Sequence, residues 1–162
     1  MPHTHLSLHY HLVFSTKDRE PWLAAHARSR VHECLRSIID RLDAKAHAIG
    51  GTADHVHVFV GLRATHCLAD FMRELKAESS AWIHRELKLE GFNWQEGYAA
   101  FTVSASHLDQ VTRYVEHQEQ HHESETFADE YAAMLRRGLV QPEEWHHWGS
   151  LFEAARDHGQ RS

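Results

Sequence analysis

The stretch GGTADHVHVFVGL, residues 50–62, decides the fold, because a glycine turn leads there into a strand whose two faces differ. Side chains at alternate positions of a strand project to the same side. One face is aliphatic and consists of Val56, Val58, Val60 and Leu62. The other face consists of His55, His57, Phe59 and Gly61. We therefore predict a strand that packs its valines on a helical layer and presents two histidines on the opposite side of the sheet.

The sequence on both sides of this stretch predicts strands and helices in an alternating order. Strands are predicted from alternating or β-branched side chains over residues 7–15, 44–49, 55–62 and 98–104. Helices are predicted from apolar residues at helical spacing over residues 22–42, 67–89, 107–122 and 127–137. This order is typical of an α+β ferredoxin-like (RRM-like) sandwich, with a four-stranded antiparallel sheet and two packing helices. We expect an additional C-terminal helix that carries Tyr114.

The composition indicates an ordinary globular protein without a membrane-spanning segment. With 162 residues, 42% hydrophobic and 25% charged, the chain is long enough to bury a core. The longest apolar run, around residues 56–62, is too short to cross a bilayer, and we expect no secretory signal. Cys34 and Cys67 lack a metal-type spacing and favour reduced thiols. We therefore expect a cytoplasmic protein.

The net charge of −6 is unusual for a nucleic-acid-binding protein, but the charge is unevenly distributed. Residues 1–113 hold 13 acidic and 13 basic side chains, whereas residues 114–162 hold 10 acidic and 4 basic ones. A neutral body with local basic clusters can still bind nucleic acid. Charge alone is equally typical of an acidic cytosolic protein.

His55 and His57 are candidate metal ligands, because residues two apart in a strand can both reach one ion. The chain has 18 histidines, and His3/His5 and His9/His11 show the same spacing, so the spacing alone is a weak signal. The context favours His55 and His57, which follow a glycine turn and interrupt a β-branched strand on one face. The alternative is a pair of surface or hydrogen-bonded histidines.

Tyr114 and Gln118 are four residues apart and therefore lie side by side on the predicted helix over residues 107–122. Leu108, Val111 and Val115 form an adjacent apolar stripe that would anchor this helix. The pair would then border a site. The alternative is a half-buried tyrosine beside a solvated glutamine.

Four segments in order resemble one known family: HLVFSTK at residues 11–17, GGTADHVH at 50–57, ELKAESS at 74–80, and WQEGY at 94–98 leading to Tyr114, Gln118 and the His121–His122 pair. Together they resemble the single-tyrosine HUH (His-hydrophobic-His) transposases of insertion sequences that move single-stranded DNA, and their REP-associated relatives. The resemblance covers about residues 5–135. The chain departs from it at His117, where the family pattern has asparagine, and many relatives are more basic.

The resemblance implies a transposase that cleaves and rejoins single-stranded DNA at or near hairpins through a covalent 5′-phosphotyrosine. Tyr114 would be the nucleophile, and His55, His57 and Gln118 would bind a divalent metal, Mg²⁺ or Mn²⁺. Members of the family act as homodimers on DNA hairpins. We expect a catalytic domain over residues 1–137, and a C-terminal tail over residues 138–162 to which we assign no role.

Four basic residues are candidates for holding phosphates: Lys17 and Arg19 after the first strand, and Arg73 and Lys76 on the long helix. Arg73 and Lys76 are three residues apart and share a helix face. His11 and His117 are the two candidates for a base that helps Tyr114 lose its proton.

Three alternatives remain open from the sequence. A non-catalytic RRM-like nucleic-acid-binding module has the same order of elements, but needs aromatic side chains on the open sheet face. A histidine-rich metal-buffering protein would bind several ions per chain. A domesticated enzyme that nicks host repeat elements would share the chemistry of the transposase.

Overall fold

A computed structural model describes residues 3–138 as a four-stranded sheet with helices. The strands are β1 (His9–Ser15), β2 (Lys45–Gly51), β3 (His55–Gly61) and β4 (Ala99–Val103). The helices are α1 (Ala25–Arg41), α2 (Leu68–Glu86), α3 (Leu108–Glu116), α4 (Gln118–His121) and α5 (Phe127–Arg137). All neighbouring strands are antiparallel, in the order β2-β3-β1-β4. The predicted ferredoxin-like fold class is confirmed.

The chain divides into two compact units. The first is Met1–Gln118 and contains the sheet with α1, α2 and α3. The second begins at Glu119 and contains α5. Within residues 3–138, no helix is both long and apolar enough to span a membrane.

The main core of the first unit lies between one sheet face and the helices α1 and α2. The aliphatic face of β3 contributes to it as predicted, together with alternate residues of β1: Val56, Val58, Val60, Leu12 and Phe14. The helices supply apolar residues at helical spacing: Val31, Leu35, Ile38, Phe71, Met72, Leu75 and Ile83. Because the valines face this core, the histidines of β3 lie on the opposite side of the sheet.

Helix α3 packs on that opposite side, over β2. Val115 is fully buried there against Ala48 and Phe59. The backbone of α3 comes so close to β2 that a Cβ added at Gly50 would overlap the carbonyl oxygen of Val115. Glycine at this position is therefore what allows the helix to rest on the strand.

The helix predicted over residues 107–122 is interrupted in the structure. It ends at Glu116, since His117 has φ −107° and ψ 29° and donates from Nδ1 to the carbonyl of Arg113 at 2.6 Å. A short helix, α4, follows from Gln118. The prediction of one continuous helix was wrong, because a side chain of the last turn hydrogen-bonds its own backbone and the chain leaves helical geometry there.

Candidate active site

The two candidate ligands lie where the strand alternation predicts. His55 and His57 project from β3 on the side away from α1 and α2, and they are 1% and 0% exposed. In the sheet register, His55 is opposite Ser15 of β1 and His57 is opposite Val13. Buried imidazoles need polar partners, so the geometry around each ring indicates what it can bind.

The Nδ1 atom of His55 is 2.8 Å from Oδ1 of Asp54 and 3.0 Å from Oγ1 of Thr52. Burial alone would raise the pKa of Asp54, but the hydrogen bond and charge of His55, aided by Arg19 and Thr52, lower it to about 2. The ionised carboxylate can only accept a hydrogen bond, so Nδ1 carries a proton. A neutral His55 ring therefore presents the lone pair of Nε2.

That lone pair faces the side-chain oxygen of Gln118. The Nε2 atom of His55 lies 3.4 Å from Oε1 of Gln118, which is 1% exposed. The amide group of Gln118 is oriented by its nitrogen, which donates to the carbonyl of Tyr114 at 3.4 Å. Two acceptors that face each other in a buried site are satisfied by a cation. The residues present therefore fit a divalent metal.

His57 makes a side-chain contact with a neighbouring strand through its Nδ1 atom. Its Nδ1 lies 2.7 Å from Nε2 of His11, a buried residue of β1. The two rings are stacked, with centroids 5.0 Å apart. His57 is therefore held by a neighbouring strand.

Tyr114 lies beside these histidines. Its ring meets His57 edge-on at a centroid distance of 5.8 Å, and His11 at 6.0 Å. Helix α3 positions Tyr114, while its neighbour Val115 anchors the helix on the sheet. The four residues expected to carry the chemistry come together within the first unit: Tyr114, His55, His57 and Gln118.

Arg19 is connected to this site through Asp54. Its guanidinium donates from Nε and from one terminal nitrogen to Oδ2 of Asp54, at 3.2 and 3.1 Å. Lys17 is exposed in the same turn, Lys17–Arg19. The turn follows the end of β1 and places Arg19 against Asp54, the residue directly before His55. Both predicted basic residues, Lys17 and Arg19, belong to this turn.

Arg73 and Lys76 lie on α2, the helix that packs on the other side of the sheet. Arg73 forms an exposed ion pair with Asp70 at 2.6 Å. The Lys76 ammonium donates to the carbonyls of Gln95 and Gly97, at 2.6 and 2.7 Å. Burial lowers the pKa of Lys76 to about 8, against the opposing charge of Glu96. The structure therefore does not bring these two residues together with the histidines.

The two candidate bases, His11 and His117, differ in their surroundings. His11 contacts both His57 and Tyr114, whereas His117 is exposed and turned to its own helix. Sequence reasoning missed the role of Asp54. An acidic residue directly before a His-x-His strand is the signal that could have identified it.

The second unit contains a cluster of histidines and carboxylates. Oε2 of Glu130, a residue only 2% exposed on α5, lies 2.8 Å from Nε2 of His121 and 3.2 Å from Nε2 of His122. His121 also contacts Glu125 at 2.9 Å. The sequence drew attention to the histidine pair but not to Glu130, an acidic residue on the buried side of an amphipathic helix.

Comparisons with known proteins identify a family and several relatives of this chain. The family described as "Transposase IS200 like" matches residues 4–118. The ISDra2 transposase TnpA of Deinococcus radiodurans is 28% identical over 117 residues, which are 68% of this chain and 84% of that protein. The transposase for insertion sequence element IS200 of Salmonella typhimurium is 27% identical over 124 residues, 73% of this chain and 81% of that protein.

Two solved structures share the fold. A crystal structure described as a transposase from Deinococcus radiodurans has a TM-score of 0.57 and 25% identity, over 73% of this chain and 96% of that one. A REP-associated tyrosine transposase bound to a REP hairpin has a TM-score of 0.51 over 71% of this chain and 70% of that one. Its 12% identity supports similarity of fold alone.

Proposed function

The chain belongs to the IS200-like transposase family, and from this we propose that it cuts and rejoins single-stranded DNA through a covalent bond to Tyr114. A transposase is a DNA strand transferase, so the proposal concerns how the strand is cut. The observation that carries it is the position of Tyr114, edge-on to His57, beside a His55–Gln118 pair whose acceptor atoms face each other.

We propose that His55, His57 and Gln118 hold a divalent cation, Mg²⁺ or Mn²⁺. Two neutral imidazoles and an amide oxygen add no negative charge, and such mixed ligands suit Mn²⁺ well and Mg²⁺ acceptably. When bound, the cation offsets the charge that builds up on the phosphate. Asp54 supports this site by holding the proton of His55 on Nδ1.

Tyr114 acts as the nucleophile. A tyrosine phenol has an ordinary pKa of about 10, so it must lose its proton as it attacks. Its oxygen forms a bond to phosphorus, the bond from phosphorus to O3′ breaks, and O3′ leaves as a hydroxyl after gaining a proton. The phosphotyrosine keeps the ester energy, so a second 3′-hydroxyl can displace Tyr114 and reseal the strand.

We propose single-stranded DNA with hairpin elements as the substrate. The REP-associated structure with the same fold is bound to a hairpin, which supports this choice. Lys17 and Arg19 would hold phosphates beside the histidines, and Arg73 would contact the strand on the other side of the sheet. Lys76 stays a prediction, with its ammonium already engaged by two carbonyls.

The protein would act as a cytoplasmic homodimer, with residues 1–137 as its catalytic domain. A domesticated enzyme that acts on host repeat elements would use the same residues, and paired ends flanking the gene would identify a mobile element instead. The RRM-like alternative is not favoured, because Phe59 of the open face is fully buried beneath α3.

A strand-transfer assay tests the proposal. Two hairpin oligonucleotides, one of them labelled, are incubated with Mn²⁺ or Mg²⁺, and joined products are separated on a denaturing gel. We expect metal-dependent transfer that is lost when His55 and His57 are both replaced by alanine. The matched control replaces His9 and His47, a second histidine pair on the same face, and should retain transfer. Binding without cleavage, with or without metal, would support the RRM-like module instead.

A further inference from the structure

We propose that His11 is a positioning residue, which holds His57 in the tautomer that presents Nε2 to the cation and supports the ring of Tyr114. The inference rests on the proposed function and assigns a role to a residue outside its ligands and nucleophile. Its starting point is that His11 contacts both the candidate ligand His57 and the candidate nucleophile Tyr114.

The short contact between the two rings allows two tautomers, and a ligand role for His57 requires one of them. Nε2 of His11 and Nδ1 of His57 are 2.7 Å apart, so one of these atoms carries the shared proton. If His57 donates from Nδ1, its Nε2 atom keeps the lone pair that a metal ligand needs. His11 is then the acceptor, and its own proton lies on Nδ1.

The pairing parallels that of His55 with Asp54. Each candidate ligand has a partner on Nδ1, which leaves Nε2 as the atom for coordination. Partners of this kind fix the ring orientation and tautomer of metal-bound histidines. Asp54 is an anion, but a neutral His11 adds no charge. The cation therefore keeps more of its positive charge for the phosphate than it would with two carboxylate partners.

His11 is also held firmly enough to act in this way. It lies in β1 between β3 and β4, opposite Phe59 on one side and Phe101 on the other. Its side chain is 7% exposed. A buried ring on a central strand has few rotamers available, and this limits how far its partners His57 and Tyr114 can move.

The chain contains a matched control two residues earlier. His9 lies on the same face of β1, and its Nδ1 atom is 3.0 Å from Nε2 of His47. The two rings meet above Gly61, which has no side chain to separate them. Like His11 and His57, this is a pair of imidazoles in contact. The two rings also contact Phe59. Replacement of His9 therefore removes a histidine pair from the sheet face while His11, His57 and Tyr114 are kept.

The test compares His11→Met, His11→Gln and His9→Met in the full chain. Methionine fills the space without a strong acceptor, while glutamine places an acceptor oxygen at a similar reach. Mn²⁺ affinity is measured by calorimetry, and thermal unfolding of the metal-free proteins shows that each is folded. We expect His11→Met to bind Mn²⁺ about 10- to 100-fold more weakly than wild type. His11→Gln should recover most of the affinity, and His9→Met should match wild type.

Each result decides the matter. Wild-type affinity in a folded His11→Met protein would overturn the inference, as would a folded His11→Gln protein that binds no better than His11→Met. If His11→Met does not fold, the comparison of His11→Gln with wild type still applies, because loss of affinity in the glutamine variant contradicts the acceptor role. Wild-type protein that binds neither Mn²⁺ nor Mg²⁺ in the same measurement would instead overturn the proposed function itself.

Discussion

Asp54 is the residue that links the candidate metal ligands to a predicted phosphate-binding side chain. Its carboxylate accepts from Arg19 on one oxygen and from His55 and Thr52 on the other. The same group therefore sets the tautomer of a candidate ligand and holds a predicted phosphate-binding side chain. A change at Asp54 would affect both metal binding and DNA binding, so variants of its partners separate the two effects better.

Lys76 gives a prediction about stability and pH. Burial lowers its pKa to about 8 in the folded chain, whereas an unfolded lysine has a pKa of about 10.4. Between these values the unfolded state holds more protons, so the free energy of unfolding rises with pH across that interval. We expect the unfolding free energy of wild type to increase relative to that of Lys76→Met from about pH 8 to about pH 10.

Denaturant unfolding at several pH values measures this difference. Other groups titrate in the same range, but they are common to both proteins and cancel in the comparison. A difference that stays constant with pH would contradict the lowered pKa of Lys76 in the folded chain.

The sequence predicted the candidate ligands and the candidate nucleophile, but not the residues that hydrogen-bond or contact them. Strand alternation placed His55 and His57 on one face, and helical spacing pointed to Tyr114 and Gln118. Asp54 and His11 could not be assigned, because their roles depend on which ring nitrogen they meet across neighbouring segments. The two carbonyls that bind Lys76 come from a loop about twenty residues away, and helical periodicity says nothing about them.

At the scale of the elements, the seating of α3 on β2 is the contact that positions Tyr114. The helix rests where Gly50 leaves room for the carbonyl of Val115. We expect Gly50→Ala to displace α3, to weaken Mn²⁺ binding by moving Gln118, and to abolish covalent reaction with DNA. Calorimetry with Mn²⁺ and a gel assay for the adduct measure the two effects.

The control is Gly61→Ala in the neighbouring strand. A Cβ there would meet the end of the His47 side chain at 3.1 Å, which can move aside, rather than helix backbone. This variant should bind Mn²⁺ as wild type does. Equal behaviour of the two alanine variants would contradict the role given to α3.

The element boundaries show what periodicity can and cannot predict. The helix Phe127–Arg137 matches its predicted range, and its N-cap Thr126 accepts from the backbone of Asp129. The break at His117 was missed, because no glycine or proline marks it and residues 116–122 are all polar, so that apolar spacing cannot locate the end of the helix. What ends α3 is a local hydrogen bond from a histidine side chain, and that choice of geometry is not encoded in hydrophobic spacing.

For the whole molecule, the charge distribution sets how DNA binding should respond to salt. The acidic excess lies in residues 114–162, and the proposed phosphate contacts are three side chains of a neutral first part: Lys17, Arg19 and Arg73. Each contact with a single strand contributes a slope of about 0.7 to the logarithmic salt dependence, so the total should be about −2. Lys17→Ala should reduce its magnitude by about 0.7.

Fluorescence anisotropy with a labelled hairpin at several salt concentrations measures the slope. Arg85→Ala serves as the control, because Arg85 is exposed and paired with Glu86. A slope near zero, or one that Lys17→Ala leaves unchanged, would contradict the proposed contacts.

The division of the chain was not predictable at this scale. The first compact unit ends at Gln118, within a short helical segment that carries no glycine or proline to indicate a boundary. The predicted tail, residues 138–162, lies outside the described residues apart from Gly138. The catalytic domain over residues 1–137 therefore stays a prediction.

The most direct test of the central claim is to locate the covalent bond to DNA. The protein is incubated with Mn²⁺ and a hairpin oligonucleotide labelled at its 3′ end, then digested with nuclease and protease, and the modified peptide is sequenced by mass spectrometry. We predict a nucleotide joined through its 5′ phosphate to Tyr114, with no adduct in Tyr114→Phe. A bond to Tyr10, Tyr98 or Tyr131, or cleavage without any adduct, would contradict the account.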